Sequence, residues 1–110
     1  MTTTLDVLRA ARALIAKGWT QGALARDAEG NDLGCDSEEA VSFCALGAVE
    51  CAVDAVECED WEVLANDAID ELEALTGAGC TASLHNDNVI GSQAEALAWF
   101  DRAIRATRAS

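Results

Sequence analysis

Residues 40–58, AVSFCALGAVECAVDAVEC, leave the chain little freedom in how it can fold. Wound at about 100° per residue, the stretch puts Cys44, Ala48, Cys51, Ala55 and Cys58 on one side. Leu46, Val49, Val53 and Val56 fill the adjoining side, and only a narrow strip remains for Glu50, Asp54 and Glu57. A helix that is apolar around most of its circumference has to be enclosed by other elements. The pattern therefore predicts a central helix over 36–58, opened by a capping box at Asp36-Ser37-Glu38-Glu39.

Three amphipathic segments are available to enclose it. Thr4 can cap a helix over 4–17 that turns Leu8, Ala11, Leu14 and Ile15 inward and ends at Gly18 as its C′ residue. Asp60 can cap another over 60–76, closed by Gly77, with Trp61, Leu64, Ala65, Ala68, Ile69, Leu72 and Leu75 as its apolar stripe. A second capping box, Ser92-Gln93-Ala94-Glu95, opens a last helix over 92–107. That helix points Leu97, Phe100, Ala103 and Ile104 inward and pairs Asp101 with Arg105 on its outer face. WTQGALARDAEGNDLGC has no helical period and carries glycines at 22, 30 and 34, which predicts a short hairpin or ordered loop over 19–34, with Ala23 to Asp27 as the strand candidate. AGCTASLHNDNVIG reads as irregular. The expected fold is mainly α: a compact four-helix domain spanning 1–110, with the hairpin or loop inserted after helix 1. The absence of Pro and an apolar half made largely of Ala suit close helix packing.

The net charge is −13, and every acid except Asp6 lies between Arg26 and Arg102, an interval without a single Lys or Arg. Such a surface repels nucleic acid and anionic lipid and steers toward basic partners. The N-terminus lacks a basic region followed by an apolar core, and no run approaches the roughly 20 apolar residues of a membrane span. With five cysteines, an odd number, a reducing cytoplasm is the expected location. Cys44, Cys51 and Cys58, seven apart, would be spaced about 10.5 Å along a helix, beyond the reach of disulfide geometry. No CxxC or CxxH occurs, so the cysteines read as packing residues, and no metal or cofactor is expected.

His85-Asn86-Asp87 is the densest polar cluster. It reads as an Asx turn feeding the last helix with His85 hydrogen-bonded nearby, or as a small-ligand site. It would also supply the His and Asn of a thiol hydrolase acting through Cys44. Against the hydrolase, Cys44 falls about two turns inside its predicted helix, where apolar burial raises a thiol's pKa. Trp19 after Gly18 reads as a core plug with its indole N–H satisfied, while Gln21 and Arg26 present donors from an irregular segment. GxGxxG, GxxxxGK[ST], HExxH and GxSxG are all missing, which removes support for the nucleotide-binding and hydrolase classes they mark.

The segments W-x-Q-G-A-x-A-R-D-x-x-G from Trp19, F-C-A-x-G-A from Phe43 and the late Asn86-Asp87 pair resemble a family of small bacterial and phage proteins of unknown function. The resemblance covers about residues 5 to 106 and implies that these three segments meet in one place. It supplies no activity, cofactor or substrate. It makes Arg26 and Asp87 fixed points, and in so acidic a neighbourhood the two are expected to pair. The resulting expectation is an acidic cytoplasmic protein of bacterial or phage origin, not an enzyme, that binds a protein partner of basic character rather than nucleic acid or membrane. Trp19, Gln21, Arg26, Asn86 and Asp87 are its candidate binding residues. Two alternatives stand beside it: a small-ligand binder or minor enzyme centred on Asn86 and Asp87, and a nucleic-acid mimic that occupies a DNA-binding groove on a host protein.

Overall fold

Thr3, one residue earlier than expected, starts the first helix of this computed structural model, which describes residues 3–34, 39–55, 60–76 and 81–109. Thr3 Oγ1 accepts the Asp6 N–H at 3.3 Å and the Asp6 carboxylate accepts the Thr3 N–H at 3.0 Å, a complete capping box. Helix α1 then runs Thr4–Lys17 and buries Val7, Leu8, Ala11 and Ile15. Gly18 follows in an extended conformation, not a left-handed one. Its missing side chain is needed for a different reason: a Cβ there would sit 2.2 Å from the Val41 carbonyl oxygen.

That close approach belongs to a small sheet. Strand β1 (Ala25–Arg26) pairs antiparallel with β2 (Asp32–Leu33) and on its other side with β3 (Ser42–Phe43), in the order β2-β1-β3. The β1–β2 turn is built by Asp27, whose carboxylate accepts the N–H groups of Glu29 and Asn31, and by Gly30 at φ +85. Residues 18–20 continue along β3: Phe43 N–H donates to the Gly18 carbonyl and Thr20 N–H to the Phe43 carbonyl. The hairpin expected after helix 1 is therefore present, extended by a third strand taken from what read as helix.

The central helix is correspondingly shorter than the expected 36–58. Helix α2 spans Ala45–Ala55, because Val41 and Cys44 donate their N–H groups to the Arg26 and Leu24 carbonyls instead of entering a helical ladder. Asp36, Ser37 and Glu38 of the first expected capping box, and Cys58, the third cysteine of the series, lie outside the described residues. Its central position holds: α2 packs against α1, against α3 (Trp61–Glu73) and against α4 (Ala82–Asn88), with Ala45, Ala48 and Val49 fully buried. Gly47 lets β1 lie directly on α2, since a Cβ there would fall 2.0 Å from the Leu24 oxygen.

Helix α3 ends at Glu73, its Asp60 cap makes no side-chain hydrogen bond, and Gly77 lies outside the described residues. Its stripe is covered only over the middle, where Ala65, Ala68 and Leu72 are buried; Trp61 and Leu75, at the two ends, are exposed. α4 was not expected. It makes a fifth helix among the described residues, and Glu73 holds its first N–H, at Ala82, at 2.8 Å. Helix α5 (Gln93–Ala109) starts with Ser92 Oγ accepting the Glu95 N–H, but Glu95 reaches back to the Gly91 N–H rather than to Ser92. It carries the largest buried side chain, Trp99, whose indole donates to the Leu72 carbonyl at 3.0 Å. α5 lies antiparallel to α1: Gln93 donates to the Ile15 and Ala16 carbonyls, and Asp101 pairs with Arg12 rather than with Arg105. The chain is thus mainly helical with a small three-stranded sheet. Among the described residues no helix is long and apolar enough to cross a membrane.

Candidate functional site

Asn86, in the last turn of α4, is fully buried and uses every arm of its amide. Its Oδ1 accepts the Trp19 indole N–H at 2.8 Å and the Ala45 backbone N–H at 3.1 Å. Its Nδ2 donates to the Thr20 carbonyl at 3.1 Å and to Asp87 Oδ1 at 3.0 Å. One side chain therefore joins the segment after α1, the N-terminus of α2 and α4. Ala45 N–H is one of the donors that a helix start leaves without an internal partner, and Asn86 caps it from 41 positions away. The Asx turn expected at Asn86-Asp87 is not formed, because both residues are helical.

Gln21 Nε2 directs its two N–H groups, one of them shared, at the carbonyls of Asn86, Asp87 and Ile90 and so satisfies the C-terminal end of α4. Asp87 Oδ1 accepts the Gly22 N–H at 3.1 Å in addition to the Asn86 amide. Trp19, Gln21, Asn86 and Asp87 are thus brought together as a latch between loop 19–22 and α4. Arg26 touches the latch only from behind, through the Gln21 carbonyl at 3.1 Å and Thr20 Oγ1 at 3.0 Å. The expected Arg26–Asp87 pair is absent. Arg26 pairs with Asp32 at 2.6 Å, because the β1–β2 register places the two residues directly opposite each other, and it also donates to the Gly30 carbonyl.

Cys44 immediately precedes α2 rather than lying two turns inside a helix. Its Sγ accepts the Gly47 N–H at 3.3 Å. Burial pushes the thiol up from its ordinary value, and the carboxylates of Asp87 and Glu50 push the same way against the helix-start N–H groups of Gly47 and Leu46. The position suits a thiolate, but the environment keeps a neutral thiol. His85, on α4, packs its ring on Trp99 with centroids 4.6 Å apart. Burial, helped by Arg102, lowers its pKa, and its Nδ1 is buried without a partner, contrary to the hydrogen bond expected there. A Cys–His nucleophile would need a thiolate beside an imidazolium, and both groups are held neutral instead.

Gly22, Ala23, Leu24, Cys44 and Asp87 line a cavity of about 230 Å³. That is below the roughly 300–1,000 Å³ of ordinary small-molecule sites. Among the described residues no group of three or more His, Cys, Asp or Glu is placed to hold a metal ion. Sequence reasoning missed two contributors to this region, the Thr20 carbonyl and the Ala45 N–H, which bond to Asn86 through backbone groups. Gly47, a fixed point of the F-C-A-x-G-A segment, contributes space, and a glycine within a helix carries a conformational cost that needs such a packing reason.

The chain belongs to a family of unknown function, DUF6197, whose family model matches residues 1–106. No curated protein and no solved structure matches it.

Proposed function

We propose that the chain is a non-catalytic interaction protein that presents its acidic exterior to a basic protein partner. The observation that carries this reading is the internal use of the polar cluster. The indole N–H of Trp19, the Gln21 amide nitrogen, both ends of the Asn86 amide and one oxygen of Asp87 are spent on holding the chain to itself. Groups so committed have little capacity left for a substrate, whereas the chain as a whole carries a large excess of carboxylates at a net charge of −13. A reducing cytoplasm suits the thiol of Cys44, which forms no disulfide. A host protein with a basic DNA-binding groove is the sharper form of the same reading, with rows of carboxylates in place of phosphates.

One observation favours a second reading, a small-ligand binder: the cavity beside Asp87 and Cys44. Native mass spectrometry of the protein isolated gently from its own cells separates the two. The interaction reading expects a basic protein held in a complex that dissociates as salt rises. A small-molecule adduct that disappears in Ala23→Trp, which fills the cavity, would replace it with the ligand reading.

A further inference from the structure

We infer that the cavity beside Asp87 is a socket for one lysine side chain of the basic protein partner, with the Asp87 carboxylate as its counter-charge. The inference rests on the reading above that the partner is basic, and it names the point of contact. The cavity is lined by Gly22, Ala23, Leu24, Cys44 and Asp87 and holds about 230 Å³. That is small for a free ligand, whose sites run to roughly 300–1,000 Å³, and it suits a single extended side chain. Cys44 is buried and forms the floor, while Gly22 and Asp87 are exposed at the rim. Leu24, 37% exposed, stands beside them as an apolar wall.

The charge of the occupant follows from the groups around it. Asp87 is exposed as a residue, but its carboxylate is drawn toward the protein. Its Oδ1 takes the Gly22 N–H at 3.1 Å and the amide of the buried Asn86 at 3.0 Å. Every bond to the carboxylate ends on Oδ1, which leaves Oδ2 without a partner among the described residues. The Cys44 thiol is pushed up by burial first and then by Asp87 and by Glu50 of α2, so both carboxylates make themselves felt at the floor. The two ion pairs among the described residues, Arg12–Asp101 and Arg26–Asp32, use neither acid. Arg26, whose guanidinium lies beside Gly22, is already matched by Asp32 and by the carbonyls of Gln21 and Gly30. The socket is therefore short of positive charge. One free carboxylate oxygen fits the compact ammonium of lysine, a point charge, better than the planar fork of arginine, which is matched by two oxygens at once. The methylene stem then lies along Leu24, as long basic side chains cover apolar surface.

n-Butylammonium is the lysine side chain without its backbone and serves as the probe. Titrated into the isotope-labelled full chain, it should move the amide resonances of Gly22, Ala23, Leu24 and Cys44 in a saturable way. n-Butanol, the same chain without the charge, and n-propylguanidinium, the arginine side chain, should each bind more weakly. Asp87→Asn keeps an oxygen for the Gly22 N–H and removes the charge, and a thermal melt checks that the variant is folded. It should bind n-butylammonium about tenfold more weakly, the share of one charge-assisted hydrogen bond. Four results would each overturn the inference: no saturable shift at these amides, n-butanol bound as tightly as n-butylammonium, n-propylguanidinium bound more tightly, or Asp87→Asn within about twofold of the parent. The salt-sensitive complex with a basic protein tells this failure from failure of the reading beneath it. If the complex forms and Asp87→Asn leaves its strength unchanged, the socket is refuted and the basic partner stands. If n-butylammonium binds as expected but no basic protein is held, the partner reading falls and the inference with it.

Discussion

Replacing Asn86 probes the latch at its centre. In Asn86→Ala, Ala45 N–H, Trp19 Nε1–H and the Thr20 carbonyl all lose their partner. Ala45 is fully buried, so its N–H cannot turn to water, and leaving it unsatisfied costs about 1–3 kcal/mol. Trp19 and Thr20 are partly exposed and recover part of their loss through hydration, adding about 1 kcal/mol each. The sum, about 3–5 kcal/mol, is a large share of the about 5–15 kcal/mol that holds a domain of this size together. Urea unfolding followed by the circular dichroism of the helices measures it directly. Asn86→Asp sharpens the test. It retains the acceptor for Trp19 and Ala45 but loses the donor to Thr20, and it sets a second carboxylate oxygen where Nδ2 now lies, 3.0 Å from Asp87 Oδ1. Like charges at that distance disfavour joint ionisation, so this variant should be weak at neutral pH and regain stability as the pH falls to about 4, where carboxylates protonate. A loss below about 1 kcal/mol in Asn86→Ala, or no acid recovery in Asn86→Asp, would show that the latch contributes little and refute the reasoning.

Gly47→Ala forces a methyl group to within 2.0 Å of the Leu24 oxygen and should destabilise by more than the about 1–3 kcal/mol of ordinary overpacking, measured as a drop in melting temperature. A double-mutant cycle over Arg26 and Asp87 should give a coupling below about 0.5 kcal/mol, while Arg26 and Asp32, a pair largely open to solvent, should couple by up to about 1 kcal/mol. His85 has its pKa lowered by burial, so the unfolded chain takes up the proton first as pH falls through about 6.5. Stability should decline on that acid side and be fully present above it, and His85→Phe should flatten the slope in urea titrations between about pH 7 and pH 5.5.

Helices α1, α3 and α5 were legible because each has a clean apolar period and a polar start signal, and the hairpin turn because Asp27 and Gly30 supply its chemistry locally. The start of α2 was not. Ala40, Phe43 and Cys44 fit a helical face as well as they fit a strand, and what decides between them is the pairing of residues 41–44 with residues 24–26, a contact across a loop that local periodicity does not register. α4 is only seven residues long and holds Ser, Asn and Asp, poor helix formers. It persists through tertiary bonds, from Glu73 at its start and Gln21 at its end. Trp99 escaped the inward set assigned to α5 because it lies one residue outside the stripe through Leu97 and Phe100, although it is the largest buried side chain. The resemblance implied that the segments around Trp19, Cys44 and Asn86 meet, and they do. The partner of Arg26 was misread because the resemblance made Arg26 and Asp87 fixed points in an acidic neighbourhood, whereas strand register delivers Asp32.

Amide hydrogen exchange at Ala45 and Gly22 tests the claim that the polar cluster is part of the fold rather than a site awaiting a ligand. Both N–H groups end on side chains of α4, Ala45 on Asn86 and Gly22 on Asp87, while Ala48, one turn into α2, bonds within the backbone to the Cys44 carbonyl. If the latch opens only when the whole domain unfolds, Ala45 exchanges with the same free energy as Ala48, and Gly22, nearer the surface, is still protected well above an unfolded amide. Exchange at Ala45 that is orders of magnitude faster than at Ala48, with Gly22 unprotected, would contradict the account, because the latch would then open on its own while α2 stays folded.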